Sequence, residues 1–436
     1  MIAIDQLAEK RRQFCIKRLP LAPSTDGRPA EFISTQRKVA TQIPCNRPFG
    51  APMPVPLPLL HPVFGQFIQN SREIAPTPND VKLVRALVEA MANIYVVEDD
   101  RRYMIWDVFD EGNIPIVESS MDAFHADGDI VKHGFRSLIA GFIDEIGSSG
   151  PEPSFQATLQ YFEATRQKAI AHTYSVLPCI ILLFFGPYIA FAGAAWTDQP
   201  NIQMLSPAIP CHYHPTDVST ELSLVRHLSA LRIAVASLQQ YYQNISQSHS
   251  SRDPRFPYPT SFTDRNGTVQ SFAIKERTPD YLPYFGTIDG LRDDNAICIK
   301  FVTRYCLEAH ELLASKGLAP ELLAVEHLPG GWYMVVMRDL RADYVNLYDF
   351  CSDKPDWTLE PKHNARDLLS SKIEDCLKQL HRAGFVHGDV RHGNILVKTT
   401  GFDDGSFVMV DFDFAGKIGE VRYPLDLNVT SVRRLR

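Results

Sequence analysis

Asp389, Arg391 and Asn394 stand in the run VHGDVRHGNILV, and Asp411 follows in VMVDFDFA. This is a carboxylate, a cation two residues on, an amide five residues on, and a second carboxylate on the next expected strand. Phosphoryl transfer from ATP needs that set of groups. The first carboxylate orients an attacking hydroxyl, the cation sits by the moving phosphate, and the amide oxygen and second carboxylate hold magnesium. Because the transition state is loose and needs little covalent help, positioned charge is nearly the whole catalyst. ATP and Mg2+ are the cofactors this chemistry calls for.

The elements that must position these groups follow from patterning. At 436 residues, 45% hydrophobic and 22% charged, the chain has the composition of a globular protein of two or three domains. The expected order is a proline-rich disordered arm over 1–60, an α/β domain over 61–245, a linker over 246–259 and a second domain over 260–436. In the first domain a helix is expected from Asn79, capped by Asn79 or Asp80, with Leu83, Val84, Leu87 and Met91 on one stripe. Strands are expected at 103–108, 128–131 and 137–142, a helix at 155–171, and a long amphipathic helix at 217–245. Residues 176–196 are apolar enough for a membrane span, but Pro178, Gly186, Pro187 and Gly193 punctuate them as two short buried strands. In the second domain strands are expected at 271–275, 282–288, 296–302, 321–326 and 332–337, with helices at 304–316 and 365–382.

A net charge of −7 argues against broad nucleic-acid affinity. The eight cysteines form no C-x-x-C pair, which fits reduced thiols in the cytoplasm or nucleus. The first residues show no apolar h-region of a secretory signal.

The order of parts from Phe256 onward resembles the protein-kinase-like fold, a two-lobed α+β architecture. That resemblance implies that Lys300, in AICIK, grips the nucleotide phosphates and that Glu308 on the following helix pairs with it, Glu311 being a competitor one turn along. YMVVM, ending at Met337, would lead into the hinge that holds adenine. His387 matches the histidine that braces the catalytic loop, Asp389 the base, Asn394 and Asp411 the magnesium ligands, and Arg391 the adjacent cation.

The chain departs from that pattern in several places. Gly388 replaces the arginine of H-R-D, KERTPD stands where a glycine-rich loop is expected, and the sequence stops soon after Asp411, which implies a short large lobe. HGD-x-x-x-x-N and the tail with Gly419 and Asp426 resemble aminoglycoside- and choline-type phosphotransferases. The combination of Lys300, Tyr305, Glu308, Ala309, His310, Leu313, Gly317, Ala319 and Pro320 with residues 387–424 resembles atypical kinase-like proteins of mushroom-forming (basidiomycete) fungi. The implied function is a Ser/Thr protein kinase acting on a protein substrate. The alternatives are a small-molecule kinase or a non-catalytic nucleotide-binding scaffold, a pseudokinase.

In those fungal proteins, and in the Crinkler-type proteins they resemble, such a module follows a restriction-endonuclease-like domain. This implies roles for Glu98, for Asp127 or Asp129, and for Gln156, with metal-bound water as nucleophile. Gly141 and Ile143 occupy the positions of its E-x-K, and Asp144 and Glu145 are offset, so the first domain is expected to be an inactive relative or merely to carry solvated acids. It is the one place where nucleic acid would bind; no membrane partner is expected.

Overall fold

The computed structural model describes residues 2–18, 22–48, 55–95, 98–121, 124–143, 151–245, 253–278, 283–290, 295–353, 363–399 and 405–423. Asp144, Glu145 and Asp426 lie outside them. The chain divides into two compact units, Met1–Tyr258 and Pro259–Arg436.

The first unit opens with helices α1 (Ile2–Lys17), α2 (Pro23–Asp26), α3 (Pro29–Gln36), α4 (Leu57–Leu60), α5 (Pro62–Glu73), α6 (Pro78–Ala92) and α7 (Glu98–Glu111). Strands β1 (Val117–Met121), β2 (Phe124–Lys132) and β3 (Phe135–Ile143) follow, then α8 (Pro153–Ala171). Strands β4 (Cys179–Phe185), β5 (Tyr188–Trp196), β6 (Pro200–Met204) and β7 (Ile209–Pro210) precede the long α9 (Val218–Gln243). The strands form one sheet in the order β1 to β6, with β7 also paired to β5. Among the described residues of this unit, only β3 and β4 pair in parallel; the other pairs are antiparallel. The turn residues at 186–187 do produce a hairpin from the apolar run, and no helix among the described residues is long and apolar enough to cross a membrane.

Three expectations for this unit are corrected. The described residues within 1–60 are not a disordered arm: Leu7, Arg11, Phe14 and Cys15 of α1, with Arg18 just after it, are buried at helical spacing, and Val55, Leu57, Leu59 and Leu60 are buried too. Arg11 disguised that core face as polar. Its guanidinium donates to the carbonyls of Thr197 (2.8 Å), Ala169 (2.9 Å) and Ser175 (3.1 Å), so burial leaves it partnered. Residues 103–108 are not a strand but the middle of α7, where Arg101, Ile105, Trp106 and Phe109 are buried on one helical stripe. The cap of α6 is Thr77, which exchanges hydrogen bonds with Asp80 in a capping box, rather than Asn79.

The second unit is α+β. Strands β8 (Ser261–Thr263), β9 (Val269–Arg277), β10 (Pro283–Ile288) and β11 (Ala296–Val302) precede α10 (Leu307–Ala314), followed by β12 (Leu322–Leu328) and β13 (Trp332–Arg338). These strands make a six-stranded sheet in the order β12-β13-β11-β10-β9-β8. Beyond it lie β14 (Tyr344–Asn346), α11 (Leu347–Asp353), α12 (His363–Arg382), β15 (Phe385–Val386), a short 3-10 turn (His392–Asn394), β16 (Ile395–Lys398), β17 (Phe407–Met409) and β18 (Gly416–Lys417). Leu369, Cys376 and Leu380 of α12 pack with Leu313 of α10 and with Val397 and Met409 of the β16–β17 hairpin. This core fixes the loops that flank the hairpin.

Candidate active site

Two small sheets bring the candidate residues together. β16 and β17 pair with Ile395 opposite Met409, so Asn394 and Val410 are neighbours across the hairpin, and the Val410 N–H donates to the Asn394 carbonyl at 3.0 Å. Asp411 follows directly. β15 pairs with β18, which holds the start of the 387–394 loop against the chain after D-F-D.

Within the loop, Asn394 Nδ2 donates to Asp389 Oδ2 at 2.7 Å and to the Asp389 carbonyl at 3.0 Å. Arg391 Nε lies 3.0 Å from Asp389 Oδ2, and its Nη2 lies 3.9 Å from Asp411 Oδ2. His387 receives the Asp389 N–H on Nδ1 at 3.4 Å, so its other ring nitrogen carries the proton and donates to the Val410 carbonyl at 3.2 Å. Burial lowers the pKa of His387, outweighing Asp411 and Asp389 and keeping the ring neutral in this role. The histidine thus ties the loop to the strand that leads to Asp411.

Lys300 comes from the middle of the large sheet. It stands opposite Val335 on β13, on the face it shares with Cys298 and Met337. Its ammonium reaches Asp411 Oδ1 at 2.5 Å and Asp413 Oδ2 at 2.7 Å. Burial disfavours the charge, but the two carboxylates outweigh it and raise the lysine's pKa. Asp411 is lowered overall, since Lys300 overcomes the effect of burial, whereas burial and the neighbouring Asp411 push Asp413 up to about 7. Asp411 also has a positive φ of 73°, a conformation that strains a residue with a Cβ.

The expected Lys300–Glu308 pair does not form. Glu308 is exposed in the first turn of α10, whose buried face is Ala309, His310 and Leu313. Glu311 binds Arg265 at 3.1 Å instead. The residue that sequence reasoning missed is Asp413, which takes the place expected of the glutamate. Its signal was the D-F-D triplet itself, where a glycine was the family's expectation. Met337 is buried among Val302, Leu322 and Val335 near the end of β13, the strand expected to lead into the hinge.

Gly388 explains why the arginine of H-R-D is missing. Its φ is +81°, and a Cβ there would lie 2.3 Å from the Phe414 carbonyl oxygen. The loop is braced by this backbone approach, so no side chain fits.

The donor set suits a magnesium ion. Asp411, Asp413 and Asn394 offer oxygen ligands of the kind a hard cation takes, and Asp413 Oδ1 is buried with no hydrogen-bond partner. Three carboxylates, Asp389, Asp411 and Asp413, face two cations, Lys300 and Arg391. Asp413, pushed up to about 7, is only partly ionised near neutral pH, and a divalent ion would displace its proton and neutralise the carboxylates. No set of three or more His, Cys, Asp or Glu side chains among the described residues could hold a metal by itself. Phosphate and water oxygens would complete the shell, as is usual for magnesium.

In the first unit two of the proposed nuclease acids, Asp127 and Asp129, are engaged elsewhere. Asp129 is fully buried, and its Oδ2 accepts from Arg136 Nε (2.6 Å) and Ser119 Oγ (2.5 Å). Asp127 Oδ2 accepts from the Phe142 N–H (3.1 Å) and Gln156 Nε2 (3.3 Å). Glu98 begins α7. A Cβ at Gly141 would meet the Pro153 carbonyl at 2.9 Å and Ala157 at 3.2 Å, so α8 fills the space a carboxylate would need.

Residues 302–418 match the model of the phosphotransferase enzyme family. No curated protein matches the sequence. Among solved structures, the Cydia pomonella granulovirus kinase PK-1 is similar at 16% identity and a TM-score of 0.28, over 34% of this chain and 53% of that one. This chain therefore spans about half the length of that kinase. The stretch carrying Glu308, Met337, His387, Asp389, Arg391, Asn394 and Asp411 is of kinase-like phosphotransferase type.

Proposed function

We propose that the second unit is an ATP-dependent phosphotransferase. The observation that carries this reading is the convergence of Lys300, Asp411, and the pair Asp389 and Asn394, from three separate stretches of chain, into one network of contacts. Lys300 would hold the nucleotide phosphates once they displace Asp411 and Asp413. Asp389, fixed by Asn394 and Arg391, would accept the proton of an acceptor hydroxyl and aim its oxygen at the γ-phosphorus. Arg391, half exposed beside Asp389 and Asp411, would offset charge on the transferring group. Asp411, with Asn394 and Asp413, would hold magnesium, which when bound neutralises the phosphate oxygens. Met337 and the segment after it would receive the base.

The acceptor is a hydroxyl. The sequence expectation put a protein Ser or Thr first. Two observations favour a small molecule: the HGD-x-x-x-x-N form, which resembles aminoglycoside- and choline-type phosphotransferases, and Gly388, whose backbone packing leaves no arginine to clamp a phosphorylated activation loop. We place the protein in the cytoplasm or nucleus, a reading supported by its eight unpaired cysteines. The fungal likeness rests on the motifs at 300–320 and 387–424. The first unit serves as a non-catalytic partner domain, supported by the filled position at Gly141.

Thermal unfolding with and without Mg-ATP tests the reading on the full chain and on Asp411→Ala. A rise in midpoint for the native protein that Asp411→Ala abolishes is the expected result. No rise in either sinks it and leaves a scaffold. Transfer of label from γ-labelled ATP to sugar, amino-alcohol or protein acceptors then separates the acceptor classes.

A further inference from the structure

We propose that Arg341 controls entry of the nucleobase, because its guanidinium lies on the face of the Phe285 ring where a base would stack. The proposal rests on the phosphotransferase reading for its ligand and on geometry for the contact. Strand register puts Phe285 on the site's own face of the large sheet. Pro283 of β10 stands opposite Lys300 of β11, and Phe285 stands opposite Cys298. On β13 the same two rows continue as Val335 and Met337. Residues directly opposite one another, and residues two apart on one strand, share a face. Phe285, Cys298 and Met337 therefore form one row, about 7 Å along the strands from the row of Lys300. Val302, toward the other end of that face, is buried in a cluster on which Tyr305 packs. Phosphates held by Lys300 thus leave the base to lie along the Phe285 row. Phe285 supplies the aromatic ring there and is only partly buried.

That ring already carries a planar group. Cζ of Arg341, just beyond β13, lies 3.3 Å from the Phe285 ring centroid. A guanidinium is flat and stacks on aromatic faces much as a base does. Stacked rings keep their centroids about 4.5 Å or more apart, so a base and this guanidinium cannot share one face of Phe285. Ion pairs hold the arginine in place from two sides. Its Nε and Nη2 meet Asp339 Oδ2 at 3.0 Å and 2.9 Å, and its Nη1 meets Glu276 Oε2 on β9 at 2.8 Å. The link runs from the segment after β13, over β10, to β9. Its two anchors differ in strength. Glu276 is 62% exposed, so its pair with Arg341 contributes little in water and is easily broken. Asp339 is only 10% exposed, and its N–H donates to the Ala296 carbonyl at 3.2 Å. Arg341 can therefore leave Glu276 and the Phe285 ring while Asp339 keeps it tethered beside the base.

The test is calorimetric titration of the full chain, native and Arg341→Ala, with Mg-ATP, with adenosine and with magnesium tripolyphosphate, which has no base. Arg341→Lys is the second variant should the first fail to fold, since it keeps a cation for Asp339 and Glu276 but loses the flat stack. Either variant should bind adenosine and Mg-ATP about fivefold more tightly than the native chain, the effect of removing one stacked competitor. Tripolyphosphate affinity should not move. Phe285→Leu should weaken adenosine and Mg-ATP by a similar factor and again spare tripolyphosphate. Adenosine binding that is unchanged or weaker in a folded Arg341 variant overturns the control of base entry, even where label transfer from ATP is intact. Tighter adenosine and Mg-ATP binding in that variant, with no transfer to any acceptor, supports it and overturns the phosphotransferase reading alone. A native chain and variants that bind none of the three ligands overturn both.

Discussion

Acidic residues in the two units meet opposite fates. In the first, Asp129 is matched to Arg136, and Asp127 is spent on a backbone N–H and Gln156. In the second, three carboxylates crowd two cations; Asp129 and Asp413 each keep one buried oxygen without a hydrogen-bond partner, so it is the balance of carboxylates to cations that differs. A carboxylate matched by its own cation or by internal donors is part of the architecture. Carboxylates in excess at a strained turn are poised for something that arrives. The comparison shows why residue type and spacing mislead until partners are counted.

The comparison can be broken most severely at Asp389. Replacing it with Asn should lower phosphoryl transfer by about a thousandfold while leaving Mg-ATP binding intact, since a positioned base supplies roughly that factor. A variant with unchanged turnover would remove Asp389 from the chemistry.

Next, Asp129→Ala strands Arg136, whose side chain is 12% exposed, and should destabilise the first unit by about 3 kcal/mol without touching transfer. Denaturant unfolding checks this. Magnesium-dependent DNA cleavage by the native protein, lost in Glu98→Ala, would instead show that the first unit is a working nuclease. Gly388→Ala should destabilise by roughly 2 kcal/mol, because it adds a Cβ both at positive φ and against Phe414.

His310 gives a pH test. Its pKa is lowered from 6.5 to about 4 in the folded chain, so folding favours the neutral ring. The stability it contributes is complete above pH 6.5 and is lost as pH falls toward 4, by at most about 3 kcal/mol. Melting curves of His310→Leu should therefore fall less steeply than the native ones across that window. The smallest effect separates two candidates for one role: Glu308→Gln should change Mg-ATP affinity by less than about twofold, because an exposed charge without a lysine partner contributes little. Asp413→Asn should change it clearly more. The reverse order would restore the glutamate.

Much of the scaffold was legible because its signals are local. The apolar hairpin, the helices at 153–171 and 218–243, and β11 over Ala296–Val302 all follow from turn residues and periodicity within a single element. The arm over 1–60 and the strand at 103–108 were misread for one reason. Arg11, Arg18 and Arg101 are buried, and a buried arginine is indistinguishable in sequence from a solvated one.

The sequence by itself determined which groups could do chemistry: the spacing of Asp389, Asn394 and Asp411 holds in one loop and the strand beside it, where chain order dictates proximity. Only tertiary structure decided who partners Lys300. Glu308 and Asp413 were both available, and the choice turned on which face of α10 is buried. That face carries His310 and Leu313, so the glutamate turns to solvent and the carboxylate after Phe412 takes the lysine. Helical rotation set by core packing is a property of the assembled core, and no spacing along the chain records it.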